Sequence, residues 1–319
     1  MDHSGHGMHG MTMDLPPFTL GRGLEWSADP FFLVACLVGL GLYGWGVARL
    51  VRRGDKWPVG RTVSYVIGVL TVMLVMCTKL NDYGMVMFSV HMVQHMVISM
   101  LSPILLLLGA PITLALRALP TAGRDRKGPR ELLLMLLHSR YVRIITHPAF
   151  TIPLFIASLY GLYFTPLFDF LMQSKTGHIA MMVHFLAVGV VFFWPIMGID
   201  PGPHRPGHLM RMLELFAGMP FHAFFGIALM MASTPMVGSY RNPPASLGID
   251  ALADQTSAGG IAWAFSEVPS VLVLLALLFQ WYRSEQRQAK RKDRAADRDG
   301  DKELQAYNAY LASLNARGH

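Results

Sequence analysis

Residues 89–108 read Ser-Val-His-Met-Val-Gln-His-Met-Val-Ile-Ser-Met-Leu-Ser-Pro-Ile-Leu-Leu-Leu-Leu, with no ionisable side chain except His91 and His95. About 20 mainly apolar residues suffice for a helix to cross the hydrocarbon core of a bilayer. The stretch therefore predicts a membrane span, and Pro103 within it is a kink that a helix bundle can absorb. Working outward, the same criterion finds spans at 31–48, 63–80, 150–171, 178–197, 211–233 and 261–281. Residues 112–119, after Gly109-Ala110-Pro111, are too few to cross and end near Arg117, which predicts an interfacial segment. The fold class expected is all-α, a polytopic seven-transmembrane-helix bundle.

Composition agrees. Hydrophobic residues make up 53% of the 319 and charged residues only 15%, whereas soluble domains carry roughly 25% charge. This argues against a soluble enzyme. The net charge of +7 would suit a nucleic-acid partner, but its distribution points to lipid. Counted by segment, Lys and Arg number one before the first span, then five, one, seven, one, two and one in successive loops, and nine after the last span. Alternate segments sum to 4 against 23, the asymmetry that orients helices with their basic loops inside. The expected topology puts the N-terminus outside and the C-terminus in the cytoplasm. It divides the chain into an extracytoplasmic tail (1–30), a membrane domain (31–281) and a charged cytoplasmic tail (282–319). Residues 1–30 lack a basic segment followed by a short apolar one, so no cleavable signal is expected there. The two cysteines, Cys36 and Cys77, both fall in apolar stretches and read as small buried hydrophobes.

Ionisable groups inside spans are costly and mark functional positions. His91 and His95 are four residues apart, on one helix face, a spacing that lets two imidazoles hold one metal. With the topology above, both lie in the outer half of the bilayer. His178 stands at the mouth of the fifth span and His184 about 9 Å deeper at 1.5 Å per residue. Six residues is a poor same-face spacing, so those two are not expected to share an ion. Glu267 enters the seventh span by about two turns, as a partner for an imidazole or a cation. His222 lies near mid-depth and reads as a hydrogen-bonded core histidine. The first thirteen residues hold His3, His6 and His9 with Met8, Met11 and Met13. Short His-rich tracts suggest metal binding, and thioether with imidazole suits copper, above all Cu(I). Asn81-Asp82-Tyr83 and Asp254-Gln255, at the outer ends of the second and seventh spans, either line a vestibule or satisfy helix ends. No phosphate loop, GxSxG elbow, CxxC or CxxCH is present, so no enzyme chemistry is expected.

His91-Met-Val-Gln-His95, followed by Ser-Pro-Ile-Leu-Leu-Leu-Leu-Gly-Ala-Pro at 102–111, resembles the signature of the CtaG family of seven-span assembly factors for caa-type cytochrome c oxidase. Further matches follow in order: His147-Pro148, His178 and His184 leading to Gly189 and Phe193-Trp-Pro-Ile196, Asp200-Pro201, Met219-Pro220, and Asp254-Gln255 with Gly260 and Trp263. The resemblance extends over 31–281. It implies a bacterial plasma-membrane protein needed for active oxidase, with oxidase subunits as partners and the oxidase copper centres as the point of action. Combined with the residues above, the expected function is copper handling. The tail captures copper, and a site on His91 and His95, with His184 as third ligand and His178 and Glu267 nearby, passes it on. Three rivals stand beside this: a b-type haem protein with His95 and His184 as axial ligands, a copper transporter, and a metal-free assembly scaffold. The apolar inner half beyond His222 disfavours the transporter.

Overall fold

The computed structural model describes residues 15–122, 128–203, 206–299 and 302–317. The tail candidates His3, His6, His9, Met8, Met11 and Met13 lie outside these residues. Among the described residues there is no strand, only an isolated bridge between Trp26 and Thr78. The helices are α1 (Leu20–Gly23), α2 (Pro30–Arg52), α3 (Val59–Met76), α4 (Leu80–Gly84), α5 (Phe88–Met96), a π-helical turn (Val97–Leu101), α6 (Ser102–Leu108), α7 (Pro111–Ala118), α8 (Pro129–Leu137), α9 (Arg140–Ile145), α10 (Pro148–Tyr163), α11 (Pro166–Met172), α12 (Lys175–Met197), α13 (His208–Met231), α14 (Ala251–Asp299) and α15 (Lys302–Arg317). Among the described residues six helical stretches are long and apolar enough to cross a membrane, and a seventh is counted if α10 and α11 form one bent span. The protein is thus a multi-pass membrane protein.

The expected single span at 150–171 is broken. α10 and α11 meet at 74°. The cause is local: Pro166 disfavours helical geometry at Thr165. Thr165, in extended backbone, then caps α11 by accepting from Leu167 N at 3.3 Å.

The third span is the centre of the bundle. Within Phe88–Ala118, 61% of the most apolar window is buried, against 22% for Pro30–Arg52. α6 packs on α3 and α12, the π turn also packs on α12, and α10 packs on α12 and α13. The π turn has a sequence cause. Pro103 has no N–H to donate to the carbonyl of Ser99, and its ring would strike that carbonyl in a regular α-helix. One wider turn relieves the clash, as such turns do inside longer helices. The span ends at Ala110, which adopts φ 51° and ψ 53° before Pro111. α7 restarts with Asp200 capping it, accepting from Ile112 N at 3.2 Å and Thr113 N at 2.7 Å.

The chain divides into two compact units, Met1–Leu272 and Val273–His319. The second holds the later part of α14 and α15, whose described charged side chains are exposed.

Candidate functional site

The site is built on α5, whose position is set from three directions. Asp254 of α14 accepts from Phe88 N at 2.6 Å and from Ser89 N at 3.2 Å, and also from the Ser89 hydroxyl. It caps α5 from another helix, doing the work of a local N-cap. Gln94 donates to the Val75 carbonyl at 2.8 Å, which ties α5 to α3. Gly84 leaves the space that the Gln94 amide oxygen fills, since a Cβ there would overlap it. The Tyr240 hydroxyl donates to the Gly84 carbonyl at 2.8 Å. Of the two readings of the polar groups at helix ends, Asp254 and Gln255 follow the second. Gln255 accepts from Met236 N at 2.7 Å and donates to Leu229 O at 3.2 Å. Asp254→Ala should cost about 1–2 kcal/mol, the loss of a strong cap, while Asp254→Asn keeps most of it. Thermal unfolding in detergent reads this, and an unchanged midpoint for the alanine variant would show that α5 needs no cap.

Held this way, α5 presents His91 and His95 entirely to the protein interior. They do not converge on one point; each faces another imidazole. The ring centres of His91 and His178 are 5.8 Å apart, and those of His95 and His222 are 6.1 Å apart. His91 Nε2 is 3.0 Å from the Tyr163 hydroxyl. Tyr163 also lies beside His95, with ring centres 5.6 Å apart. Aromatic rings wall both pairs. Phe168 meets His91 edge-on at 5.1 Å, Phe185 meets His95 edge-on at 4.1 Å, and Phe155 lies 5.0 Å from His222.

Many polar atoms in this region lack partners. His91 Nδ1, both nitrogens of His95, His178 Nε2, His222 Nε2 and the Ser99 hydroxyl are buried with no hydrogen bond. An unpaired buried polar group costs about 1–3 kcal/mol, so such a cluster calls for a function. His95, Ser99, Ser158 and His222 line one small cavity of about 10 Å³, close to what a single water-sized occupant needs. Met92, Met96, Met181 and Met182 are completely buried in the same helices.

At the Pro30 end of the bundle, the buried carboxylate of Asp29 caps α2 through Phe31 N at 3.0 Å. It also pairs with Lys175 Nζ at 3.2 Å. Asp29 lies within electrostatic range of His178, one turn beyond Lys175.

Two candidates from sequence lie elsewhere. His184 is exposed on the flank of α12, and its Nε2 is 2.9 Å from the Ser158 hydroxyl. The reason is helical phase. The buried stripe of α12 runs through His178, Met181, Met182, Phe185, Val188, Gly189 and Phe192, and a position six residues from His178 falls off it. Glu267 is exposed on α14. Among the described residues no three His, Cys, Asp or Glu side chains converge as ligands of one ion. Cys36 and Cys77 are buried free thiols, in keeping with their reading as small hydrophobes.

His222 and Tyr163 are the residues that sequence reasoning passed over. His222 is buried without a bond to Nε2, not satisfied as a core histidine would be. The signal was available in the buried stripe Leu215, Gly218, His222, Phe225, Gly226, Leu229, whose spacing of three and four aims His222 at the core.

Residues 41–284 match the family described as cytochrome c oxidase caa3 assembly factor. Uncharacterized proteins of Mycobacterium bovis and Mycobacterium tuberculosis are each 46% identical over 310 residues, covering 96% of this chain and 47% of theirs. One from Mycobacterium leprae is 45% identical over 312 residues, with the same coverage. The chain thus spans about half the length of the curated relatives it matches. No solved structure matches it.

Proposed function

The chain belongs to the family of cytochrome c oxidase caa3 assembly factors, and from that premise we propose that it binds Cu(I) among its buried imidazoles and supplies it to the oxidase. Membership in an assembly-factor family points to a non-catalytic role at the cell membrane. Copper here is cargo. The observation that carries the proposal is the set of four sealed imidazoles, His91, His178, His95 and His222, with five ring nitrogens lacking partners.

The donor set suits the cargo. Neutral imidazole and thioether are ligands that favour Cu(I) over hard cations. An ion held at about 2 Å by two imidazole nitrogens leaves the ring centres roughly 5–6 Å apart; His91 and His178 lie within that range at 5.8 Å, and His95 and His222 just beyond it at 6.1 Å. Two ligands per ion also suit transfer, because a saturated cage would hold its metal. The Tyr163 hydroxyl orients His91 and selects which nitrogen faces the pair, the usual task of a group bonded to the far side of a ligating ring. The alternative of a b-type haem needs a macrocycle between two axial imidazoles, and the space beside His95 and His222 suits one small occupant.

The basic loops put the Pro30 end of the bundle outside. Copper then enters there, captured by the His3, His6, His9, Met8, Met11 and Met13 tail. It passes Asp29 and Lys175 before reaching His178 and His91. Neither His184 nor Glu267 belongs to the buried set in this reading.

The test is metal content and visible spectrum of the detergent-purified chain, wild type beside His91→Ala/His95→Ala. Near-stoichiometric copper that the double variant loses is expected. A Soret band would replace copper with haem, and neither metal nor haem after anaerobic loading with Cu(I) would leave a metal-free scaffold.

A further inference from the structure

The half of the bundle beyond His222 is not uniformly apolar. Glu214 of α13 is 3% exposed and Ser270 of α14 is 1% exposed. Among the described residues, neither Glu214 oxygen nor the Ser270 hydroxyl has a hydrogen-bond partner, and Trp194 Nε1 of α12 is a third buried group without one. Ionisable side chains inside spans are costly, and they mark ion pathways and proton relays. Neither the capping of the helices nor the pairing of the imidazoles uses Glu214.

Helix contacts put these groups at one level. Gly226 of α13 meets Gly259 of α14, and counting equally from that contact along the two antiparallel helices brings Ser270 level with Leu215, next to Glu214. Arg211 Nε and Nη2 donate to the carbonyls of Ile196 and Met197, which brings Trp194 level with Glu214, a turn nearer the bundle centre. Cavities flank this level on both sides. On the imidazole side, about 10 Å³ is lined by Gly218, Ser266, Ser270 and His222, and His222 also lines the cavity it shares with His95. On the far side, about 120 Å³ is lined by Thr146, Trp194 and Arg211, at the end of the bundle that the basic loops put in the cytoplasm. Arg211 is the charged group beside Glu214 on its own helix. α12 has no titratable residue between His184 and Met197, α10 has only Tyr160 and Tyr163, and in the adjoining stretch of α14 Glu267 is exposed. The donor type changes at this level too, since carboxylate and hydroxyl oxygens suit hard cations and not Cu(I). Met100 and Met219 line the cavity next to His222 as well, so passage of Cu(I) is the rival the experiment must meet.

We propose that Glu214 is a proton-exchange site: each Cu(I) that enters the buried imidazoles from outside is balanced by one proton that the Glu214 carboxyl gives up to the cytoplasmic side through the Trp194–Arg211 cavity. Cu(I) brings one positive charge into a sealed site where an uncompensated charge is costly. The proton removes one, so the buried charge is unchanged and no electron moves. The O–H bond of the carboxyl breaks, cytoplasmic water takes the proton, and Arg211 one turn away stabilises the carboxylate left behind. Release of copper to the oxidase reverses the step. The exchange rests on the copper reading; the proton on Glu214 does not.

The test treats the metal-free, detergent-purified full chain at neutral pH with dicyclohexylcarbodiimide, which reacts with protonated carboxyls in apolar surroundings, and maps the label by mass spectrometry. Glu214 is expected to be labelled, and prior anaerobic loading with Cu(I) should cut that labelling several-fold. In weak buffer, Cu(I) should release more protons from wild type than from Glu214→Gln, by about one per ion bound, while the variant still binds copper. No label on Glu214 in the metal-free chain overturns the proposal whatever the copper result. Copper bound with equal proton release from the two proteins overturns the exchange alone, as does Cu(I) passing through the chain into sealed vesicles. A chain that binds no copper overturns the copper reading and the exchange together, and the label then reports the proton on Glu214 by itself.

Discussion

His222→Ala is expected to strip copper from the purified chain as completely as His95→Ala, whereas His184→Ala leaves the copper content near that of wild type. The ring of His222 faces His95 across the cavity, and both have nitrogens that nothing else engages. Removing one of two ligands exceeds the roughly 10–100-fold weakening that follows loss of an outer partner. Tyr163→Phe supplies that milder case, since it deletes only the hydroxyl beside His91 Nε2. Competition against a Cu(I) chelator of known affinity ranks the four variants. If His184→Ala empties the protein and His222→Ala does not, the ligand set expected from sequence was the right one and the buried pairing is incidental.

Gly189→Val is expected to prevent the folded protein from accumulating. A side chain at Gly189 would strike the carbonyl oxygen of Ser99, and would also approach the Ser99 carbonyl carbon to 2.9 Å and Pro103 Cγ to 2.7 Å. Overpacking a core against movable side chains costs about 1–3 kcal/mol. Here the obstacle is backbone at the crossing of α12 with the π turn, and that turn cannot revert to α-helix while Pro103 remains. The loss should therefore exceed that range. Gly44→Ala is the control: nothing lies within 4 Å of its added Cβ, and a helical alanine gains up to about 1 kcal/mol over glycine. Size-exclusion profiles of both variants in mild detergent distinguish them, and a monodisperse Gly189→Val protein at wild-type yield would refute the close crossing.

The two variants also separate what could be read from the chain alone from what could not. The spans were legible because each must supply about 20 apolar residues, a requirement set by the bilayer and not by any neighbour. That His91 and His95 stand out was legible for a similar reason: an ionisable group in a span is costly wherever its helix packs. The break at Pro166 is a local steric effect, and its proline stood in plain view within a stretch that hydropathy alone reads as continuous. Asp254 was legible as a helix-end residue, but its clients Phe88 and Ser89 lie more than 160 positions away.

The sequence by itself determined that this chain is a polytopic helical membrane protein of the oxidase assembly-factor family, with histidines at depth in its spans. Those properties follow from composition, length and ordered motifs, which are fixed before any helix meets another. Only the tertiary structure decided which imidazoles face one another. Depth along a helix can be counted from its end, but rotation about its axis depends on contacts such as Gln94 with Val75 and Gly189 with Ser99. Rotation turned His184 outward to Ser158 and brought His222, from a helix far along the chain, to face His95.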